Sequence, residues 1–137
     1  MKVASFIVPC LLIPALLHAQ DASSQYTAAH QRRALDIYRT VIGFRTAEGH
    51  GQVPKMANYL ADLFRTGGFA AGDVHVLPLK LESGEATASL VVRYRSSNTS
   101  GQKPVLFLAH MDVVAAKREN WTRDPFTLVE MTHLASR

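Results

Sequence analysis

Between residues 25 and 42, apolar side chains recur at helical spacing. Ala34/Leu35, Tyr38 and Val41/Ile42 form the stripe, with Arg32, Arg33, Asp36 and Arg39 between them. This pattern predicts an amphipathic helix, started by the polar stretch 21–24 and ended by Gly43. Residues 44–51 read as a loop. A second helix begins near Pro54, a residue suited to the first helical position because it has no N–H to leave unpaired. Met56, Leu60 and Leu63/Phe64 make its buried stripe, Gly67-Gly68 stops it, and Phe69 is placed to pack back on the last turn. The period then drops to two. In residues 74–81, His75, Leu77, Leu79 and Leu81 share a face, and Pro78 marks an edge strand. In residues 87–95, Ala88, Leu90, Val92 and Tyr94 face one way, and Ser89, Arg93 and Arg95 the other. Glu82-Ser83-Gly84-Glu85 between them predicts a hairpin turn. After a polar loop, 96–103, residues 104–109 lose all alternation. Val105-Leu106-Phe107-Leu108-Ala109 reads as a strand buried on both faces, the centre of a sheet. Residues 115–125 form a loop, and 126–130 one more short strand. The expected class is α/β, a mixed sheet with flanking helices.

The first 19 residues change the picture of length. Met1-Lys2 is a short basic start, residues 3–17 are apolar but broken by Pro9 and Pro14, and Ala19 offers the small residue needed for cleavage. The prolines and the shortness of the run distinguish it from a membrane anchor, which needs about 20 apolar residues. Export to a secreted or periplasmic location is expected, with 1–19 removed and 20–137 as the mature portion. Cys10 is the only cysteine of the 137 residues and leaves with this segment, so disulfides and thiolate metal sites are excluded. The net charge of +4 comes without a basic run longer than two residues or interleaved aromatics, which argues against a nucleic-acid surface. Asn98-Thr99-Ser100 and Asn120-Trp121-Thr122 match the glycosylation acceptor pattern.

Six histidines carry the candidate chemistry. His18 lies in the signal segment, His30 among helix surface residues, His50 between two glycines, His75 on a strand face and His133 near the end of the chain. His110 stands apart, because it closes the buried run and Asp112 follows two positions later. A strand end is where open α/β sheets present ligands. A carboxylate there can bond one ring nitrogen, fixing the tautomer that aims the other at a metal. The plainer reading of Asp112 is a turn-forming carboxylate. No glycine-rich phosphate loop is present.

Leu106-Phe107-Leu108-Ala109-His110-Met111-Asp112-Val113-Val114, followed by Trp121 and by Asp124-Pro125-Phe126, resembles the first motif block of a family of di-zinc metallopeptidases. The family includes acetylornithine deacetylase, succinyl-diaminopimelate desuccinylase, glutamate carboxypeptidase and secreted carboxypeptidases and dipeptidases. Phe44-Arg45-Thr46, Leu60-Ala61 and Gly68-Phe69 also fit its opening, so the resemblance spans residues 31–130, and the Trp and Pro-Phe spacing leans toward the carboxypeptidase branch. The resemblance implies an aminopeptidase/carboxypeptidase-like catalytic domain in which His110 ligates one of two zinc ions and Asp112 orients it. Trp121, Asp124, Pro125 and Phe126 would be structural. Ala115 replaces a proline frequent in that branch. The implied substrate is a peptide or N-acyl amino acid, cleaved at its amide by a zinc-bridging water that a glutamate deprotonates.

The chain departs from the family after residue 130. An Asp-Gly turn, a Gly-Arg-Gly segment and the bridging aspartate are expected there. Met131-Thr132-His133-Leu134-Ala135-Ser136-Arg137 stands instead. The Glu pair, the remaining acidic ligand, the late histidine and the inserted dimerisation domain have no counterpart, so a homodimer is expected only of a complete protein. Residues 20–137 are therefore expected to be an inactive N-terminal portion of the catalytic domain. The rival expectation is a small exported binding protein whose His-Asp pair is not catalytic.

Overall fold

A computed structural model describes residues 27–97, 101 and 103–131. The signal segment with Cys10 and His18, the linker 21–24, the first acceptor asparagine Asn98 and His133 lie outside the described residues.

The first helix, α1, spans Ala28–Gly43. Its N-cap is Thr27, whose hydroxyl oxygen accepts from the backbone N–H of His30 at 3.4 Å, satisfying one of the unpaired donors of the first turn. No α1 side chain is fully buried. Leu35, Ile37, Val41 and Ile42 are half-buried, and Tyr38, expected in the stripe, is exposed.

The second helix, α2, spans Val53–Thr66 with Pro54 in its first turn. Its termination follows the expected chemistry closely. Gly68 takes φ +97°, and Gly67 and Phe69 donate to Leu63 and Phe64 carbonyls at 2.9 and 3.1 Å. Phe69 then packs edge-on against Phe64, ring centroids 5.1 Å apart. This is the glycine-ended cap that pairs the last free carbonyls and adds an apolar contact.

A short 3-10 turn, Ala71–Asp73, leads into strand β1, Val74–Lys80, which pairs antiparallel with β2, Ala86–Val92. The turn between them is closed by Gly84 donating to the Leu81 carbonyl and Leu81 to the Glu85 carbonyl, both at 2.9 Å, with Gly84 at φ +85°. A glycine is needed there because other residues resist that backbone angle. The register aligns Val74 with Val92, Val76 with Leu90 and Pro78 with Ala88. Pro78 thus sits in an edge strand, as its missing N–H requires.

α2 covers one face of this hairpin. The core is small: Met56, Ala57 and Ala61 from the helix, Val74 and Ala88 from the strands, and Thr46 and Ala47 from the loop before α2. Ala57 and Ala61 are both 0% exposed. Their lack of bulk allows the helix backbone to approach the sheet.

His75, Leu77 and Leu79 share a face, as expected; it is the face away from α2, and Leu77 and Leu79 are exposed. Val74 and Val76 supply the inner positions. Two expectations are corrected. First, residues 104–109 form no ladder, and Leu106 and Phe107 are 78% and 90% exposed. Second, residues 126–130 are not a strand. Asp124 caps a turn there, its carboxylate accepting from the Phe126 N–H at 3.0 Å and the Thr127 hydroxyl at 3.1 Å. The described residues therefore make a small mixed α/β unit with a two-stranded antiparallel sheet.

Candidate functional site

Residues 103–117 follow the hairpin without regular structure and carry His110 and Asp112. Both side chains are exposed, 82% and 74%. His110 Nδ1 lies 2.7 Å from the Asp112 carbonyl oxygen and 3.6 Å from the carboxylate Oδ1. A carbonyl can only accept, so this bond puts the hydrogen on Nδ1 and leaves Nε2 of the neutral ring with its lone pair. The partner that selects the tautomer is thus the backbone of Asp112, with the carboxylate beyond direct bonding distance.

Two cavities flank this segment. One, of about 520 Å³, is lined by Ala47, Leu81, Glu85, Thr87, Asp112 and Val113 among others. The other, of about 830 Å³, runs between β2 and residues 107–112 and includes His110 in its wall. Among the described residues, no three His, Cys, Asp or Glu side chains come together as a metal site would require. The donor set within reach is thus the His110 imidazole, with Asp112 behind it. His30, His50 and His75 do not join it. His30 closes on Thr27, Nδ1 to Oγ1 2.7 Å, and His75 Nε2 lies 2.9 Å from the Gly72 carbonyl.

Two polar clusters were not foreseen. Glu85, in the hairpin turn, accepts from the backbone N–H of Gly49 and of Gly51, each at 2.6 Å through a different carboxylate oxygen. These two N–H groups hold the Glu85 carboxyl below its ordinary value. The contact ties the turn to the loop that enters α2. Asp73, buried at the start of β1, receives Arg95 Nε on both oxygens and Arg93 Nε at 3.2 Å. The bond from Arg95 keeps the Asp73 carboxyl below its ordinary value, with the charges of Arg95 and Arg93 adding to it. The sequence signals were the alternating Arg93 and Arg95, and the Gly-His-Gly of residues 49–51. Neither pattern names its distant partner.

The residues near the motif's end reach back to α1 and to the loop that follows it. The Arg45 guanidinium sits 4.8 Å over the Phe126 ring, and Arg39 pairs with Glu130. Trp121 follows a 3-10 turn, Arg118–Asn120, and is half-exposed. Among the described residues, no helix is long and apolar enough to cross a membrane.

Comparison of the chain with protein-family models, with curated proteins and with solved structures returned no match.

Proposed function

We propose that this chain carries the first metal-ligand block of an exported zinc-dependent peptidase or amidohydrolase of the carboxypeptidase or dipeptidase type, acting on peptides or N-acyl amino acids. The observation that supports this reading most is the short contact from His110 Nδ1 to the Asp112 carbonyl. It frees Nε2 as a donor within the sequence block Leu106-Phe107-Leu108-Ala109-His110-Met111-Asp112-Val113-Val114. His110 is the residue that would hold the metal, and Asp112 the one that orients His110. Zinc, when bound in such a centre, supplies Lewis acidity and an ionisable water. The described residues contribute one of the three or four protein donors such an ion takes, so by themselves they are expected to bind zinc weakly and to turn over no amide.

The reading is tested by joining residues 20–130 to the C-terminal portion of a di-zinc carboxypeptidase. The expected chimera hydrolyses dipeptides or N-acyl amino acids, loses activity to chelators, regains it with zinc and is inactivated by His110→Ala. A soluble, folded chimera without zinc-dependent turnover overturns the reading.

A further inference from the structure

The cavity of about 520 Å³ is walled by three segments: the loop before α2, the hairpin turn and residues 112–115. Its charge is of one sign. Glu48, Glu85 and Asp112 line it, and among the described residues no lysine, arginine or histidine does. The Glu85 carboxylate is tied to the amides of Gly49 and Gly51. The Glu48 side chain is exposed and has no partner among the described residues. A cleft lined by one sign of charge concentrates ions of the other. Thr46 supplies a second, independent sign. It is only 3% exposed. Its N–H donates to the Phe44 carbonyl at 3.1 Å, but its hydroxyl has no partner among the described residues. No sealed side-chain oxygen among those residues is left unpaired, so this hydroxyl opens into the cavity that Thr46 lines. A buried hydroxyl without a protein partner is uncommon, because it forgoes a bond that water would supply.

We propose that this cavity binds an alkylammonium ion: a primary ammonium group on a methylene chain, as in a free diamine or the lysine side chain of a peptide. Such a head carries three donors and no acceptor. The Thr46 hydroxyl oxygen and the Glu48 carboxylate, from one loop, and the Asp112 carboxylate, from another wall, are acceptors for it. Val53, Leu81 and Val113 give the methylenes an apolar wall, the contact that long cationic side chains make with their stems. A bare metal ion is a poorer occupant, because among the described residues no three acidic or histidine side chains are placed to share one. A cavity of this size with apolar walls and a few polar groups suits a small organic ligand. The inference does not rest on the zinc reading, since Thr46 and Glu48 act whether or not His110 holds a metal.

The test is titration of the full chain, with chelator present, by cadaverine and by Nα-acetyl-lysine amide, followed through the backbone amide resonances. Nα-acetyl-norleucine amide, of similar length but without the charged head, is the control. Both amines are expected to shift the amides of residues 46–48 and 113–114 at about millimolar concentration, and the norleucine compound to leave them in place. Binding is expected to weaken at least about tenfold in Glu48→Gln and in Thr46→Val, as when a hydrogen bond to a charged group is lost, and to fall with added salt. Glu48 is exposed, so Glu48→Gln decides the matter should Thr46→Val fail to fold. The tighter of the two amines tells a free diamine from a lysyl peptide, and either order supports the site. Equal shifts with the norleucine compound overturn the proposal, as do binding unchanged in Glu48→Gln, tighter binding of Nα-acetyl-arginine amide, or no shift at about 10 mM amine.

Discussion

Arg95 grips Asp73 through both carboxylate oxygens, Nε lying 2.9 and 3.0 Å from them. The contact joins the first residue before β1 to the chain just past β2, closing the open end of the hairpin opposite its turn. Arg93 reaches the same carboxylate. Asp73 is therefore the shared member of the cluster, and Asp73→Asn is expected to lower the urea midpoint more than Arg95→Ala, because the alanine variant retains Arg93. The reverse order, measured by circular dichroism, would count against this assignment.

Acid should loosen the unit for a reason that can be signed. The folded state holds the carboxyls of Glu85 and Asp73 below their ordinary values of 4.5 and 3.8. Groups lowered on folding stabilise above the unfolded value and cease to do so as pH falls through the folded one. The urea midpoint is expected to be flat from neutrality to about pH 5 and to fall below that. Glu85→Gln should make the fall shallower. A midpoint that rises on acidification would refute the account.

Backbone and packing limits can be separated at the end of α2. A Cβ at Gly68 meets nothing within 4 Å, yet φ is +97°, so Gly68→Ala costs conformational strain alone, about 1–2 kcal/mol. Ala61→Leu inserts bulk where the helix touches the sheet, and overpacking of this kind costs about 1–3 kcal/mol. Chemical denaturation measures both, and a neutral Ala61→Leu would show that the interface is looser than the 0% exposure of Ala61 implies.

The proposed chemistry makes a restrictive claim about the isolated chain. With added zinc, the nitrogen resonances of His110 should shift at millimolar rather than micromolar metal, consistent with about one protein donor. No dipeptide or N-acyl amino acid should be cleaved. Turnover that chelators remove and zinc restores would mean that further residues of this chain join His110 in holding the metal.

Export is checked by mass. The apolar run of residues 3–17 and the small Ala19 predict a mature chain beginning at Gln20. Protein recovered outside the cytoplasm with Met1 still attached would contradict this.

Both helices and the hairpin were legible in the sequence because their determinants are local. The cap at Gly68, the proline of α2 and the turn at Gly84 each act within a few residues. What was not legible depended on partners. Leu77 and Leu79 outweigh Val74 and Val76 in apolar bulk, but α2 lies on the valine side, and nothing in the alternation itself selects a face. Residues 104–109 have the composition of a buried strand, yet a strand needs an edge and cover from both sides, and composition provides neither. At the site, His110 and Asp112 were adjacent enough to be paired by inspection. The backbone carbonyl as their meeting point was not visible, since every residue carries one. Asp73 with Arg95 and Glu85 with Gly49 span separations over which single residues carry no pattern.

The tie between Glu85 and the loop of residues 49–51 has a consequence for how this protein can vary. One half of it is a side chain, and the other half is two main-chain amides. Substitutions at 49 and 51 other than proline keep an N–H donor but strain the backbone, since φ there is +90° and +59°, whereas position 85 alone decides whether an acceptor arrives. Aspartate there is one methylene too short to span the same gap, and glutamine offers one oxygen where two are used. The contact is therefore constrained by backbone angle on one side and by side-chain chemistry on the other. A mutational scan should find position 85 intolerant for its carboxylate, beside Gly84, which is intolerant for its backbone angle, in a turn that otherwise looks like free surface.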